Sequence, residues 1–598
     1  MSGAFDVLRR RWGVLITLAL PLLLETFDQT ITATAQPHIA SSFGRLDLQT
    51  WIGTSFILTV TAFLPLFANI ADVFGRFWAL FWSLIIFLLG SCICTGAQSM
   101  PVLLLGRGIS GVGGAGITTL TRVIIADVRS LDDNATQSTI LVTLQGFGYI
   151  LGPLIGGGLT KISWRSIFAL NIPISILSIF LLWALLRHKL VGPRVPDHQR
   201  HNSSPPSASQ PPDLSLTQKL GRVDWLGATI LISASILVLF GLSTASTSLS
   251  SSNWSSPSVV GSLVTGGVAT VAFPACEWLL ITQITPREGS SRQPQPSAIR
   301  SLQNQWTKYT AGVEPMIPLV LFKKADVWAS YFTGLTGGMM LFSCLYFLST
   351  YFVIVRGYDA VKSALQLLVV APGLGLGSYV GIFMIKIWRQ PRYPLIVGAA
   401  LMPLAAGLLG IAVRHDNHSA VDGLLVLAGF SIGITLGSLS LQAQYSHPPR
   451  FAAVLVTLSL FFRNLGGTVG LAQLSAVLET TIRSYIRNLV TSGQLTSDDA
   501  YAIYASLNTL STSSTSGSSV GTLQPALQKV VVDAYRAGTR DAFLSLVPWC
   551  GVGFLLCWFL GDIQEPSTAS TGEVSTNDIR LEPIEAGNNT PHVEEHRA

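Results

Sequence analysis

The sequence predicts an all-α polytopic membrane protein with fourteen transmembrane helices, and three observations predict it. Charged residues make up only 11% of the 598 residues while hydrophobic ones reach 49%. Soluble domains carry about 25% charged residues, more than twice that density. Apolar stretches of roughly 20 residues, the length that crosses about 30 Å of hydrocarbon, recur along the chain. Within each stretch the apolar residues are continuous rather than alternating, which fits helices and not the strands of a barrel.

The stretches are Gly13–Gln36, Trp51–Ala71, Phe77–Gln98, Pro101–Ala126, Ser138–Lys161, Ser166–Leu186, Trp225–Ser243, Val259–Thr282, Val327–Val355, Leu365–Ile387, Tyr393–Val413, Val421–Gln442, Phe451–Val477 and Ala542–Leu560. The first is too long for a cleaved signal segment and lacks a small-residue cleavage site, so it reads as a true span. Even parity places both termini on one side. Arg9, Arg10 and Arg11 before the first span, the basic loops after spans six and eight, and Lys386, Arg389 and Arg392 after span ten all share that side. A lysine and arginine excess marks it as cytoplasmic. The sequons at Asn253 and Asn417 then lie on the opposite side and are expected to accept glycans.

Six spans, a pair and six spans divide the chain. Residues 1–187 form one six-helix bundle, 223–285 an extra helix pair, and 326–562 a second bundle with a long outer loop at 479–541. The loop 188–222, rich in Ser, Pro, Gln and His, and the tail 563–598 read as disordered, and 286–325 reads as a cytoplasmic loop.

Chemistry inside the spans is sparse. Glu25 and Asp28 sit in the first span at i,i+3, so both carboxylates share one helical face. A charge at that depth costs about 2.5–3.5 kcal/mol on insertion scales and normally faces a cavity or a partner. Asp28 lies about 12 Å from the outer end of span one and Arg107 about 9 Å into span four, at 1.5 Å per residue. The two are expected to meet, either as a site for protons or substrate or as a permanent ion pair. Arg463 in span thirteen is the next intramembrane cation, with the same two readings. Span five carries Gly148, Gly152 and Gly156 at i, i+4 and i+8 beside Pro153 and Gly157, a smooth face with a helix breaker.

Other classes are excluded by what these residues do not form. Gly111–Gly116 matches G-x-G-x-x-G but lies inside an apolar span with no strand before it, so no dinucleotide is expected. No Walker sequence, metal-ligand spacing or nucleophile–base constellation occurs. No cofactor, no metal and no enzymatic activity are expected. The net charge of +6 sits in short clusters between spans and gives no reason to expect nucleic acid. The six cysteines all fall in apolar stretches and read as small packing residues.

The chain resembles the major facilitator superfamily, and within it the fourteen-span drug:proton antiporters. Gly148–Gly157 (GYILGPLIGG) resembles the antiporter motif G-x-x-x-G-P-x-x-G-G, and Glu25–Ala40 resembles the first-helix motif L-D-x-T-I-V-x-x-A-L-P-x-I. Ile70–Leu80 resembles the loop motif G-x-x-x-D-x-x-G-R-R/K, and Leu103–Gly116 the fourth-helix motif R-x-x-Q-G-x-G-x-A. Trp164–Ile174, Asp224–Ala228, Glu314–Phe322 and Phe461–Gly470 continue the match. The resemblance implies two six-helix bundles plus two extra central helices. It implies that Asp28 and Arg107 serve proton coupling or substrate binding, and that Asp72, Gly75 and Arg76 gate the cytoplasmic side. It implies that Gly152 and Pro153 support exchange in the export direction. Where the motifs diverge, Ala68 replaces a glycine, Phe77 a basic residue, Ser110 a glutamine and Gln36 an apolar residue, and Asn134 stands near an expected second arginine after Asp127. Ser110 and Gln36 are expected to face the cavity.

These features together predict a monomeric secondary transporter, of the fungal toxin and multidrug efflux style, in the plasma membrane. It would export amphipathic organic compounds in exchange for protons by alternating access. A vacuolar basic amino-acid or siderophore transporter is the alternative within the superfamily, and a non-transporting receptor the alternative outside it.

Overall fold

In the computed structural model the described residues are 2–45, 48–127, 131–160, 162–187, 190, 192, 215–246, 254–284, 313, 315–358, 360–415, 417–503 and 525–563. All belong to one unit, residues 1–564. Fourteen helices are long and apolar enough to span a membrane, and each coincides with one predicted stretch. We call the end at which the first helix starts the inner end.

The N-terminal bundle comprises α1 (Ser2–Ser42), α2 (Trp51–Phe74), α3 (Arg76–Thr95), α4 (Met100–Ala126), α5 (Leu131–Thr160) and α6 (Arg165–Leu186). The short α7 (Leu216–Arg222) precedes the extra pair, α8 (Trp225–Ser246) and α9 (Pro257–Ile284). The second bundle comprises α10 (Ala325–Ile354), α11 (Ala360–Leu367) leading into α12 (Val370–Trp388), α13 (Arg392–His415), α14 (His418–Tyr445), α15 (Ala452–Thr491) and α16 (Pro525–Cys557).

The two bundles repeat one packing plan. In the first, α1 packs on α5, α2 on α4, and α3 on α6; in the second, α10 packs on α15, α12 on α14, and α13 on α16. Each bundle has its own apolar core, around Leu22, Phe56 and Phe87 in one and Met340, Phe352 and Phe543 in the other. The seam between them is made by α2 against α15 and by α5 against α12 and α14. The extra pair is seated on that seam, because α8 packs on both α2 and α15. On the outside, large apolar residues such as Phe180, Val268 and Val271 are exposed, as helices solvated by lipid require.

Two expectations are corrected. The outer loop 479–541 is in part helical: α15 runs on to Thr491 and α16 begins at Pro525. Charges ended the apolar run there but not the helix, since Glu479 and Arg483 pair across one turn at 2.9 Å. Residues 504–524 of that loop are not among those described. In the loop 188–222, residues 216–222 are helical rather than disordered. Ser215 and Gln218 form a capping box, each side chain bonding the other's backbone N–H. The later part of the loop 286–325 is likewise ordered, with a 3₁₀ turn at Leu319–Lys323. The rest of 188–222 and the tail beyond 563 lie outside the described residues.

Candidate functional site

Asp28 and Arg107 meet, as their depths predicted. Arg107 Nη1 lies 2.5 Å from Asp28 Oδ2, and each side chain is 1% exposed. Asn171 of α6 donates to the other carboxylate oxygen at 2.7 Å. Arg107 Nε donates to the Ile52 carbonyl at 3.1 Å, and the guanidinium lies over the Phe56 ring at 4.3 Å. The constellation ties α1, α2, α4 and α6 together, and every partner belongs to the N-terminal bundle. Charge-assisted bonds in a buried setting are strong and directional, so the pair fixes the bundle's geometry.

Glu25 has different company. It is buried one helical turn before Asp28, faces Thr118, and is within electrostatic reach of Arg122 and Arg463. Arg463 belongs to α15 and therefore to the other bundle. Arg122 donates to Gln145 Oε1 of α5 and also interacts with Arg463 and Tyr149. The surroundings of Glu25 thus cross the seam to a countercharge, whereas the hydrogen bonds of the Asp28–Arg107 pair among the described residues stay within one bundle. The sequence reading passed over Arg122, because a cation four residues from the end of an apolar run looks interfacial. Asn171 and Gln145 were passed over as neutral residues in apolar helices.

At the inner end, Asp72, Gly75 and Arg76 come together with Asp127. Gly75 joins α2 to α3 at φ 89°, a left-handed conformation that suits glycine. The turn sends Arg76 back to Asp72 Oδ1 at 2.6 Å and across to Asp127 Oδ2 at 3.0 Å, fully buried. Phe77, where a second basic residue was expected, stacks instead on Phe81 at 6.3 Å and packs tilted against Trp183 at 5.7 Å. Asn134 on α5 donates to Gln444 Oε1 of α14 at 2.9 Å, and Gln444 donates to the Ala126 carbonyl at 2.7 Å. These bonds join the two bundles directly at the inner end.

The glycines of span five work by close approach. A Cβ on Gly152 would fall 1.8 Å from Thr30 Oγ1, and one on Gly148 would fall 2.7 Å from Thr26 Cγ2. The motif therefore packs α5 on α1 within one bundle. Gly156 is buried, and the side-chain surroundings of Pro153 and Gly157 lie outside the described residues. Two cavity expectations are corrected by the same geometry. Ser110 is buried against Gly90 of α3 and Gln36 lies on Gly53 of α2, both inside helix contacts. Asn417 is exposed at the start of α14, where its Oδ1 caps the helix by accepting from Ala420 N–H at 3.2 Å. Asn253 lies outside the described residues. Five of the six cysteines are buried and none is bonded to another. Among the described residues no cluster of three or more metal-ligating acids, His or Cys exists.

Two repeated bundles with buried charged residues near their seam define a membrane transporter, not an enzyme. The Major Facilitator Superfamily profile matches residues 18–287 and 263–471, and the chain belongs to that family. It is similar to the acurin A biosynthesis cluster MFS-type transporter of Aspergillus aculeatus, at 27% identity over 92% of this chain and 89% of the relative. It is similar to the MFS-type efflux pump LUC4 of a Fusarium species, at 27% over 92% and 87%. The efflux pump FUS6 of Gibberella moniliformis is 25% identical over 92% and 88%. Among solved structures, the human organic anion transporter MFSD10 shares the fold, with a TM-score of 0.55 and 12% identity over 92% of this chain and 99% of that one.

Proposed function

We propose that this chain exports amphipathic organic compounds in exchange for protons, with Glu25 as the carboxylate that exchanges the proton. The observation that carries this reading is that buried Glu25 lies within electrostatic reach of Arg122 of one bundle and Arg463 of the other. When the bundles rock, the distance from Glu25 to Arg463 changes, and the stability of its charged form changes with it. A carboxylate in that position takes up a proton in one state and releases it in the other. Asp28 and Arg107, bound wholly within one bundle, hold the first helix in place while this happens. The Asp72–Arg76–Asp127 cluster and the Asn134–Gln444 bond form the inner gate, which opens to admit substrate from the cytoplasm or inner leaflet. Relatives named as efflux pumps support the outward direction, and the plasma membrane is the corresponding site of action.

The test is accumulation of amphipathic dyes and azoles in an efflux-deficient yeast. The intact chain lowers accumulation and surface-expressed Glu25→Gln does not. Accumulation equal to empty vector for the intact chain, at good surface expression, refutes export of this class.

A further inference from the structure

The polar groups at the seam carry more positive charge than they can neutralise among themselves. Three guanidiniums are buried on α4 and α15: Arg107, Arg122 and Arg463, at 1%, 7% and 5% exposure. Arg107 is matched by Asp28. That leaves Arg122 and Arg463 with the single carboxylate of Glu25, and the two cations act on one another. Their donor inventories are incomplete as well. Nε of Arg122 and Nε of Arg463 are buried with no hydrogen-bond partner among the described residues. Among the described residues, Nη2 of Arg463 reaches Asn464 Oδ1 at a long 3.4 Å. A guanidinium offers five donors, and burying it half-satisfied next to a like charge is costly. The arrangement is the reverse of an acid-rich pocket built for a cation.

We infer that the seam site formed by Arg122 and Arg463 binds substrates through an ionised acidic group, a carboxylate or its equivalent, and so selects organic acids among amphipathic compounds. A carboxylate placed there supplies the missing acceptors to both guanidiniums in a geometry that guanidinium–carboxylate pairs favour. Tyr149, which interacts electrostatically with Glu25, Arg122 and Arg463, lines the same group. Because the arginines come from opposite bundles, one on α4 and one on α15, an acid bridging them draws the bundles together. The bridge couples occupancy to conformation. On the inner side of Arg122 lies a small cavity, lined by Arg122, Asn134, Ser138 and Gln444 together with the apolar Leu141 and Val456. This substrate class rests on the export reading above, and it bears against a basic amino acid as cargo, since a cation would meet two like charges.

The experiment uses the full chain, purified and reconstituted in inside-out vesicles. Three fluorescent probes share one body and differ only in the end group: 11-(dansylamino)undecanoic acid, its primary amide, and the matching terminal amine. Binding is read from dansyl fluorescence and transport from uptake. The acid is expected to bind about tenfold more tightly than the amide, the gain expected from charge-assisted bonds to a fixed guanidinium. Arg122→Gln and Arg463→Gln each are expected to erase that preference by raising KM for the acid well beyond any change in KM for the amide, while the lost charge beside Glu25 lowers the transport rate of both probes alike. Arg463→Lys, which keeps the charge, is expected to retain part of the preference and controls for a folding defect. Equal handling of acid and amide, or preference for the amine, overturns the inference while leaving export standing. Acid preference undiminished in both glutamine variants overturns the assignment to these arginines. Transport of none of the three probes overturns the inference and the export reading together.

Discussion

Removal of the Asp28 charge tests the scaffold role of the first helix. Asp28→Asn keeps the shape of the side chain but strips Arg107 of its counterion at a site 1% exposed to solvent. What remains for Arg107 is the Ile52 carbonyl at 3.1 Å and the faces of Phe56 and Phe168 at 4.3 and 5.7 Å. Among the described residues its Nη2 already has no hydrogen-bond partner, so no spare acceptor there compensates. Breaking a buried pair from one side costs about 3–5 kcal/mol, whereas replacing both charges by neutral groups costs little. The double variant Asp28→Asn/Arg107→Gln is therefore expected to be more stable than either single variant. The assay is reversible unfolding of the purified chain in mixed micelles, for wild type, both singles and the double. Losses that simply add, with the double near twice a single, refute a charge-pair scaffold and leave two independent polar contacts.

Three further predictions follow from separate parts of the fold. Gly152→Ala drives a methyl group into Thr30 Oγ1, at 1.8 Å in the present geometry, and is expected to cost about 1–3 kcal/mol as overpacking. Thr30→Ala in the same chain removes the Oγ1 clash but leaves Cβ at 2.8 Å, so it should recover part of the loss in the same unfolding assay, and no recovery places the cost elsewhere. Asp224, just ahead of α8, is buried with Oδ1 accepting from Gly227 N–H at 2.8 Å, and burial raises its carboxyl above the usual carboxylate range. A raised value means its contribution is complete below about pH 4 and is lost as pH rises through the folded value. Asp224→Asn, which still caps the helix, should match wild type near pH 4 and exceed it in melting temperature at pH 7. A pH-independent difference would contradict that account. Asn417 is exposed, with its Oδ1 capping α14, so the chain from fungal cells should shift on a gel after peptide N-glycosidase, less so for Asn417→Gln. No shift in either chain would place that end of the bundle away from the glycosylating compartment.

The spans were legible because lipid imposes a simple rule: a helix with about twenty apolar residues has few other uses. Asp28 and Arg107 were legible for the same reason, since an isolated charge at known depth looks for its opposite. What the rule conceals is anything helical outside lipid. Thr491 and Pro525 bound helices that leave the apolar run, and there helix propensity and the Glu479–Arg483 pair decide, not hydropathy. Direction of facing was also concealed. Ser110 and Gln36 looked like cavity residues because they break a motif, yet both fill helix contacts opposite glycines. Arg122 shows the complementary limit. Its position near the end of a span reads as interfacial, and only the fold places it beside Arg463, more than three hundred residues away in the chain.

The central claim is proton exchange at Glu25, and everted membrane vesicles test it most directly. With the interior acidified and reported by a quenched pH-sensitive acridine, a transported amphipath should release the quench in vesicles bearing the intact chain. The same addition should do nothing with Glu25→Gln, while Asp28→Asn that still folds should keep part of the response. Release of the quench by Glu25→Gln equal to wild type would contradict the account, and loss of it only in Asp28→Asn would move the proton to the first helix's other carboxylate.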